Sequence, residues 1–283
     1  MRGTYPHYVF AEIVTKFLSR KNSFVFARFL SRIYSTLFAG DLENIRLNLK
    51  QALPAGTSRD ELKGLSRAVI ENYASYLVDL FYMDRITKDF IDRQVEIRGI
   101  EHLDRALAGG KGVILASAHL GHWEIGGTTL AKLGYPIYGL ALKHQDPRID
   151  AIFQKRRQGN GFKIITVGAS MKECYKVLRR NQILALNADR LFGEEGETVQ
   201  FMNKTVQFPK GISRLSRAMG ATVVPVFILM NGHDRYLMEF QEPFRDGPLL
   251  IQSFASALEK KIRRYPSQWF IFQPFWEPPQ WPI

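Results

Sequence analysis

The fold of this chain is decided by the stretch Gly112-Val113-Ile114-Leu115-Ala116-Ser117, followed by Ala118-His119-Leu120-Gly121-His122-Trp123-Glu124. The first part is short, apolar and partly β-branched, which is typical of a fully buried strand. The residues after Glu124 predict a helix that ends at Gly134-Tyr135-Pro136. Open α/β folds bind their ligands where a strand ends and a helix begins. The stretch therefore predicts an active site that contains His119 and Glu124.

Similar apolar runs recur along the 283 residues and alternate with helical patterns. The predicted strands are residues 95–98, 112–117, 137–142, 163–167, 183–187, 222–230 and 236–240. Ser58 and Glu61 stand at capping-box spacing and predict the start of a long helix. This alternation predicts an α/β fold with a mixed, mostly parallel sheet and helices on both faces. We expect amphipathic helices to precede it at the N-terminus.

His119 and Glu124 have the side chains of a general base and its orienting partner. Residues five apart on a continuous helix are rotated by roughly 140° and do not face each other. Direct pairing therefore requires a turn between them, which Gly121 can supply. A carboxylate on one ring nitrogen would leave the other nitrogen free to take a proton. The alternative is a satisfied core histidine beside an acid that the helix dipole favours.

Two other kinds of site compete with this interpretation. His119, His122 and Glu124 are metal-ligand types, but their spacing differs from the two-histidine zinc pattern, so we predict no metal site. A serine hydrolase is disfavoured because no Gly-x-Ser-x-Gly elbow is present. The single cysteine, Cys174, excludes an internal disulfide and is expected to be buried.

The segment AHLGHWE after an apolar strand resembles the signature of the lysophospholipid acyltransferase superfamily, in its bacterial branch that acylates lipid A precursors. Further segments are similar to parts of that branch, in the same order along the chain. These are residues 44–54, 196–204, 208–214, 223–226 and 268–270. The resemblance runs from about residue 40 almost to the end. It implies transfer of an acyl group from a thioester to a hydroxyl.

The resemblance also implies roles for individual residues. His119 would deprotonate the acceptor hydroxyl, with Glu124 holding and charging the ring. Backbone amides near Lys210 and Gly211 are candidates for the oxyanion site. The expected substrate-binding residues are Lys143, Arg157, Asp189, Arg190, Lys210, Gly211 and Arg214. Arg190 departs from the branch, which usually has glutamine after the aspartate. The four charges Arg157, Arg190, Lys210 and Arg214 could instead be solvated surface groups, Asp189 could be a helix N-cap and Gly211 an ordinary turn glycine.

The formal charge of +12 and the pI near 9.8 indicate an anionic partner. Paired cations such as Arg156-Arg157 are usually solvated helix faces, and no nucleic-acid-binding motif is present. We therefore expect an anionic membrane surface and a lipid acceptor, and no nucleic acid.

Residues 8–18 and 24–38 combine aromatic and aliphatic side chains with Lys16, Arg20, Lys21, Arg28 and Arg32. Apolar bulk beside cations is typical of a helix that lies in a membrane interface. No run of roughly 20 apolar residues is long enough to span a bilayer, and no signal peptide pattern appears. We expect residues 1–40 to be membrane-associating helices and residues 41–283 the acyltransferase domain. The expected location is peripheral, on the cytoplasmic face of the inner membrane.

The sequence thus predicts an acyltransferase that uses no cofactor beyond an acyl thioester as co-substrate. The expected donor is an acyl carrier protein, or otherwise coenzyme A, and the expected acceptor is a lipid A-type glycolipid precursor. A glycerolipid acyltransferase is the first alternative. A non-catalytic protein that binds anionic membranes is the second.

Overall fold

A computed structural model of the chain describes residues 5–166, 171–191, 196–232, 234–244 and 247–276. Within these ranges, seven strands form one sheet, in the order β1-β9-β8-β2-β5-β3-β4. They are β1 (Val95–Arg98), β2 (Val113–Ser117), β3 (Ile137–Ala141), β4 (Lys163–Thr166), β5 (Ile183–Asn187), β8 (Thr222–Met230) and β9 (Tyr236–Phe240). Neighbouring strands are parallel except β8 and β9. The predicted mixed, mostly parallel sheet is confirmed; Val167, expected to end β4, lies outside the described residues.

Helices cover both faces of this sheet, as the sequence predicted. They are α1 (Tyr5–Phe17), α2 (Arg20–Leu37), α3 (Ala39–Ala52), α4 (Arg59–Tyr82), α5 (Lys88–Gln94), α6 (Ile100–Ala108), α7 (Trp123–Lys132), α8 (Pro147–Gln158), α9 (Met171–Arg179), α10 (Gly211–Met219) and α11 (Leu250–Arg264). Alternate side chains of a strand point to opposite faces. Ile114 and Ala116 of β2 accordingly join the core under α9, α10 and α11, whereas Val113 and Leu115 join the core under α5, α6 and α7. Each central strand is buried on both sides.

A two-stranded hairpin lies outside the main sheet and was not predicted as strands. It consists of β6 (Gly196–Phe201) and β7 (Lys204–Pro209). Met202 and Asn203 form its turn with φ of 53° and 61°. Two-residue hairpins favour such positive φ values and usually signal them with Asn-Gly or Gly-Gly. A methionine at the first turn position gives no such signal.

Ser58 caps the start of α4, as its spacing to Glu61 predicted. The Ser58 hydroxyl accepts a hydrogen bond from the Glu61 backbone amide at 3.1 Å. This satisfies one of the amides that a helix start leaves unpaired. The helix then runs for 24 residues and carries Tyr76 and Asp79 beneath the active-site end of the sheet.

The two N-terminal helices α1 and α2 pack against α4. An apolar stripe remains exposed on α2 at four-residue spacing, which places its members on one helix face. The stripe consists of Val25, Phe29, Ile33 and Leu37, and Phe10, Ile13 and Phe17 are exposed on α1. Arg20, expected at a membrane surface, points inward instead and binds Asp79, because that buried carboxylate needs a cation.

No helix in the part of the chain that the structure describes combines the length and the apolarity needed to cross a bilayer.

Candidate active site

The site is built around residues 119–122, which we call the motif loop and which follow the end of β2. Gly121 has φ of 70°, a conformation that suits glycine. A Cβ at this position would lie 2.0 Å from the carbonyl oxygen of Ile228, so the loop approaches β8 closely. The Gly121 amide donates to the Gln268 carbonyl at 2.9 Å, and the His122 amide donates to the Ile228 carbonyl at 2.7 Å. The predicted turn at Gly121 is thus present and anchored on both sides.

His119 is paired with Asp189, which follows the end of the neighbouring strand β5. The two atoms His119 Nδ1 and Asp189 Oδ1 lie 2.8 Å apart. The second carboxylate oxygen accepts the His119 backbone amide at 2.9 Å. Since β2 and β5 are adjacent and parallel, their carboxyl ends meet at one edge of the sheet. Two residues 70 positions apart in sequence are brought together in this way.

The surroundings favour a charged Asp189. Burial alone would raise the pKa of its carboxyl, but the charge of His119 and two hydrogen bonds from that residue hold the pKa below its usual value. The carboxylate is fully buried, whereas the His119 side chain is 20% exposed. Among the described residues, none hydrogen-bonds the other ring nitrogen, Nε2. A proton on Nδ1 therefore leaves Nε2 available as a base toward the outside.

Glu124 does not contact His119 in this way, and the expectation that it directly holds the imidazole was wrong. It lies in the first turn of α7 and binds Arg157 of α8. Arg157 Nε lies 3.1 and 3.0 Å from the two carboxylate oxygens, and its Nη2 lies 2.5 Å from Oε1. Since α7 begins at Trp123, Glu124 is already part of the helix, whereas His119 lies in the loop before it. The Glu124 side chain therefore points toward α8 and not toward His119.

Arg157 was expected to bind a substrate phosphate, and its environment does not fit that role. Both members of the pair Arg156-Arg157 are buried, contrary to the expectation of a solvated helix face. Burial alone lowers the pKa of the Arg157 guanidinium, but Glu124 outweighs it and raises the pKa above the ordinary value. The guanidinium of Arg157 already binds the Glu124 carboxylate, and this ion pair connects α7 to α8.

Lys210, Gly211 and Arg214 were also expected at the site, and they lie together at the start of α10. Lys210 and Arg214 line an open groove of about 530 Å³ together with Arg217, Ser213, Glu197 and Tyr175. The Ser213 hydroxyl donates to Glu197 at 3.1 Å. Among the described residues, no atom beyond the adjacent residues and the backbone of its own helix lies within 4 Å of the position that a Cβ on Gly211 would take. This groove combines three cations with room for a ligand.

The two remaining candidates occupy different environments. Lys143 is exposed, two residues beyond β3. Arg190 follows Asp189 directly and donates from Nη2 to the Gln273 side chain at 3.1 Å. Burial lowers the pKa of the Arg190 guanidinium, and the neighbouring Asp189 opposes that shift. Their binding roles stay predictions.

The motif loop also contacts a second buried acid that sequence reasoning missed. His122 is fully buried, and its Nδ1 lies 2.9 Å from Asp79 Oδ2 on α4. Arg20 and Tyr236 bind the same carboxylate. A charged residue in the middle of an otherwise apolar helical pattern, Leu77-Val78-Asp79-Leu80-Phe81, was the available signal.

The described ranges contain no group of three or more histidine, cysteine, aspartate or glutamate side chains arranged to hold a metal ion. Cys174 is buried, and desolvation raises the pKa of its thiol. This environment suits a packed side chain better than a nucleophile.

Comparison with known proteins gives a family for the chain and several similar proteins. A family model described as bacterial lipid A biosynthesis acyltransferase matches residues 6–277. The phosphatidylinositol mannoside acyltransferase of Mycolicibacterium smegmatis is 26% identical over 247 residues, spanning 84% of this chain and 80% of that protein. The lipid A biosynthesis acyltransferase of Haemophilus influenzae is 26% identical over 183 residues, spanning 63% of this chain and 57% of that protein. The crystal structure of the 1-acyl-sn-glycerophosphate acyltransferase PlsC from Thermotoga maritima has a TM-score of 0.41 and 12% identity, covering 88% of this chain and 98% of that one.

The family match shows that the protein is an acyltransferase, as the sequence predicted. The chain belongs to the bacterial lipid A biosynthesis acyltransferase family.

Proposed function

We propose that the protein transfers a fatty acyl group from an acyl thioester to a hydroxyl of a glycolipid, with His119 as the general base. The contact between His119 Nδ1 and Asp189 is the observation that carries this proposal. A buried carboxylate on one ring nitrogen fixes the tautomer and stabilises the imidazolium that forms during catalysis. Glu124 contributes indirectly, because with Arg157 it fixes the helix that follows the motif loop.

The reaction proceeds in two stages. His119 Nε2 takes the proton of the acceptor hydroxyl while the oxygen attacks the thioester carbonyl carbon. The resulting tetrahedral intermediate carries a negative oxygen, for which the backbone amides at Lys210 and Gly211 are the proposed donors. When the intermediate collapses, the carbon–sulfur bond breaks and the imidazolium returns its proton to the leaving thiolate. The products are an ester and a free thiol.

The proposed acceptor is a lipid-linked saccharide. Two relatives carry names of this kind, phosphatidylinositol mannoside acyltransferase and lipid A biosynthesis acyltransferase. A lipid A-type precursor is the acceptor that we put first, and Lys143 and Arg190 are proposed to meet its anionic groups. Arginine and lysine suit this task because they bind phosphate as a planar fork and as a point charge respectively.

The proposed donor is an acyl carrier protein, with coenzyme A as the alternative thioester. Both present a phosphate on the pantetheine arm, and the groove lined by Lys210, Arg214 and Arg217 offers cations to such a group. The chain as a whole carries a formal charge of +12, which suits an acidic carrier.

The proposed location is peripheral, on the cytoplasmic face of the inner membrane. The exposed stripe of Val25, Phe29, Ile33 and Leu37 supports the peripheral attachment to a membrane, because a soluble monomer rarely leaves such a contiguous apolar face in water. An apolar helix face flanked by cations enters the boundary between headgroups and acyl chains.

The test is a transfer assay with purified protein. Acyl carrier protein and coenzyme A thioesters of the same fatty acid are each incubated with a lipid A precursor, a phosphatidylinositol mannoside and a lysophospholipid, and product masses are measured. The proposal predicts a gain of one acyl group on the saccharide lipids. Acylation of the lysophospholipid alone would contradict the proposed acceptor, and no acylation of any acceptor would contradict the proposed reaction.

A further inference from the structure

Asp79 forms a junction between the N-terminal helices and the motif loop. Its side chain is 3% exposed. Arg20 Nε donates to Oδ1 at 3.0 Å, the Tyr236 hydroxyl donates to Oδ2, and His122 Nδ1 lies 2.9 Å from Oδ2. Burial alone would raise the pKa of this carboxyl, but His122 and Arg20 hold the pKa below its usual value. Removal of the arginine would leave a buried carboxylate with much less compensation.

Arg20 is held in a fixed position at the first residue of α2. Its guanidinium lies 4.7 Å from the centre of the Phe24 ring and 5.1 Å from that of Phe90. It also donates to the Tyr236 hydroxyl. Because aromatic rings and a carboxylate both hold this arginine, a movement of α2 also moves the group that binds Asp79. That helix carries the apolar stripe proposed for the membrane.

The other end of the network reaches the catalytic base. The His122 ring lies 5.2 Å from the Tyr236 ring and 5.9 Å from the Tyr76 ring. The ring centres of Tyr76 and Trp123 lie 4.5 Å apart. The Trp123 ring in turn packs edge-on against the His119 ring, with 5.3 Å between the ring centres. Packed aromatic rings of this kind have few alternative arrangements. A shift of His122 therefore changes the surroundings of His119.

A second contact joins the N-terminal helices to the other half of the site. Arg156 of α8 donates from Nη2 to Glu12 Oε1 on α1 at 3.0 Å and also binds Asp84. The next residue, Arg157, binds Glu124. An ion pair thus joins each N-terminal helix to the surroundings of the motif loop. Arg20 of α2 binds Asp79, which contacts His122, and Glu12 of α1 binds Arg156, which precedes the partner of Glu124.

We propose that Arg20, acting through Asp79 and His122, is a positioning residue for His119, and that Glu12 does the same for Glu124 through α8. The N-terminal helices then belong to the active site, and their role extends beyond attachment to a lipid surface. This inference rests on the proposed role of His119 as the base.

The test uses a reaction that needs no membrane. Release of free thiol from decanoyl acyl carrier protein and from decanoyl coenzyme A is followed in vesicle-free buffer, with octyl glucoside below its critical micelle concentration as the hydroxyl acceptor. The variants are compared on the donor that the wild-type protein uses. The variants are Arg20→Gln, Arg20→Lys and Glu12→Gln. The control is Arg93→Gln, which removes an arginine whose partner Asp89 is also exposed. Near-ultraviolet circular dichroism and melting temperature verify that each variant is folded at the assay temperature.

The proposal predicts that Arg20→Gln lowers kcat at least tenfold and leaves KM for the thioester within twofold of the wild-type value. Glu12→Gln is expected to lower kcat in the same direction, and Arg93→Gln to match the wild type. Arg20→Lys keeps the charge without the planar fork and is expected to fall between wild type and Arg20→Gln. Should Arg20→Gln be unfolded at the assay temperature, Arg20→Lys decides, with kcat threefold to tenfold below wild type expected.

Wild-type kcat in folded Arg20→Gln, or in Arg20→Lys when that variant decides, would overturn the inference and leave the ion pair with a purely structural role. Failure of the proposed function looks different. In that case His119→Ala would retain the wild-type rate, or the wild-type protein would release no thiol from either donor, with octyl glucoside or with a lipid A precursor as the acceptor.

Discussion

The Asp189 carboxylate contacts His119 twice, at 2.8 Å from the ring Nδ1 and at 2.9 Å from the backbone amide. One oxygen therefore fixes the tautomer of the ring, while the other fixes the chain from which the ring projects. In the proposed mechanism, this double contact makes Asp189, two residues beyond β5, the orienting partner of the base.

Replacement of Asp189 by asparagine tests this role. The amide can donate to Nδ1, which would leave the proton on Nε2 and remove the basic lone pair. The expected loss in kcat is about 10²- to 10⁴-fold, by analogy with the orienting aspartate of serine hydrolases. Steady-state kinetics of thiol release measure it. Asp104→Asn, which alters an exposed acid bound to Tyr135, is the control and should keep the wild-type rate.

The pH dependence of stability follows from the lowered pKa values of Asp79 and Asp189. The unfolded chain binds their protons at about pH 3.9, and the folded protein binds them only at lower pH. Each group therefore stabilises the fold above that value, and the contribution is lost as the pH falls through the folded pKa. Urea unfolding between pH 6 and pH 3 should show the stability gap between wild type and Asp189→Asn narrowing toward acid. A gap that widens toward acid would contradict the assignment.

The pair of Glu124 and Arg157 should behave as one buried unit. Removal of one partner strands the other charge in the interior, and Arg157→Met is expected to cost about 3–5 kcal/mol in the free energy of unfolding. The double variant Glu124→Gln, Arg157→Met should cost less than the sum of the two single changes. Urea unfolding of the wild type, the two single variants and the double variant gives the coupling free energy between the two side chains. Additive effects would show that the two side chains do not depend on each other.

The sequence predicted the seven strands of the sheet because most of them are short, largely apolar runs separated by helical patterns. It also placed His119 correctly just beyond the carboxyl end of β2, because open α/β folds bind their ligands at that end of a buried strand. Asp189 was expected to bind substrate, and its pairing with His119 was missed, because no local sequence pattern reveals the order of the strands. Asp189 also lies just beyond the end of an apolar strand, but only the adjacency of β2 and β5 shows that the two strand ends meet.

The charged residues were the hardest to place. Arg156 and Arg157 stand next to each other like a solvated pair, yet both are buried, because acids from α1 and α7 reach them. Arg20 lies among the cations expected at a membrane, and a single buried acid on α4 turns it inward. Such pairings depend on contacts between distant elements, which no window of sequence contains.

The close approach of Gly121 to β8 predicts a sharp response to a single methyl group. Gly121→Ala would place its Cβ 2.0 Å from the Ile228 carbonyl oxygen at positive φ, so the motif loop must move. We expect a loss of at least about 2 kcal/mol in the free energy of unfolding and a fall in kcat. Gly64→Ala within α4 meets open space and should be stabilising by about 0.5–1 kcal/mol. Similar melting temperatures for the two variants would contradict the role of this turn.

The apolar stripe on α2 predicts how the protein meets a lipid surface. Phe29→Asp combined with Ile33→Asp should sharply reduce sedimentation with vesicles of anionic phospholipid, because two charges then enter the apolar face. Leu249→Asp, which changes a leucine of similar exposure outside the N-terminal helices, is the matched control. Equal loss of binding in both variants would point to a different membrane face.

Acyl transfer by a His119→Gln variant tests the central claim most directly. Glutamine is similar in size to histidine and polar but cannot act as a base. The masses of a lipid A precursor incubated with acyl carrier protein thioester should show one added acyl group with the wild-type protein and almost none with the variant, although both bind vesicles. Transfer by His119→Gln at the wild-type rate would contradict the account.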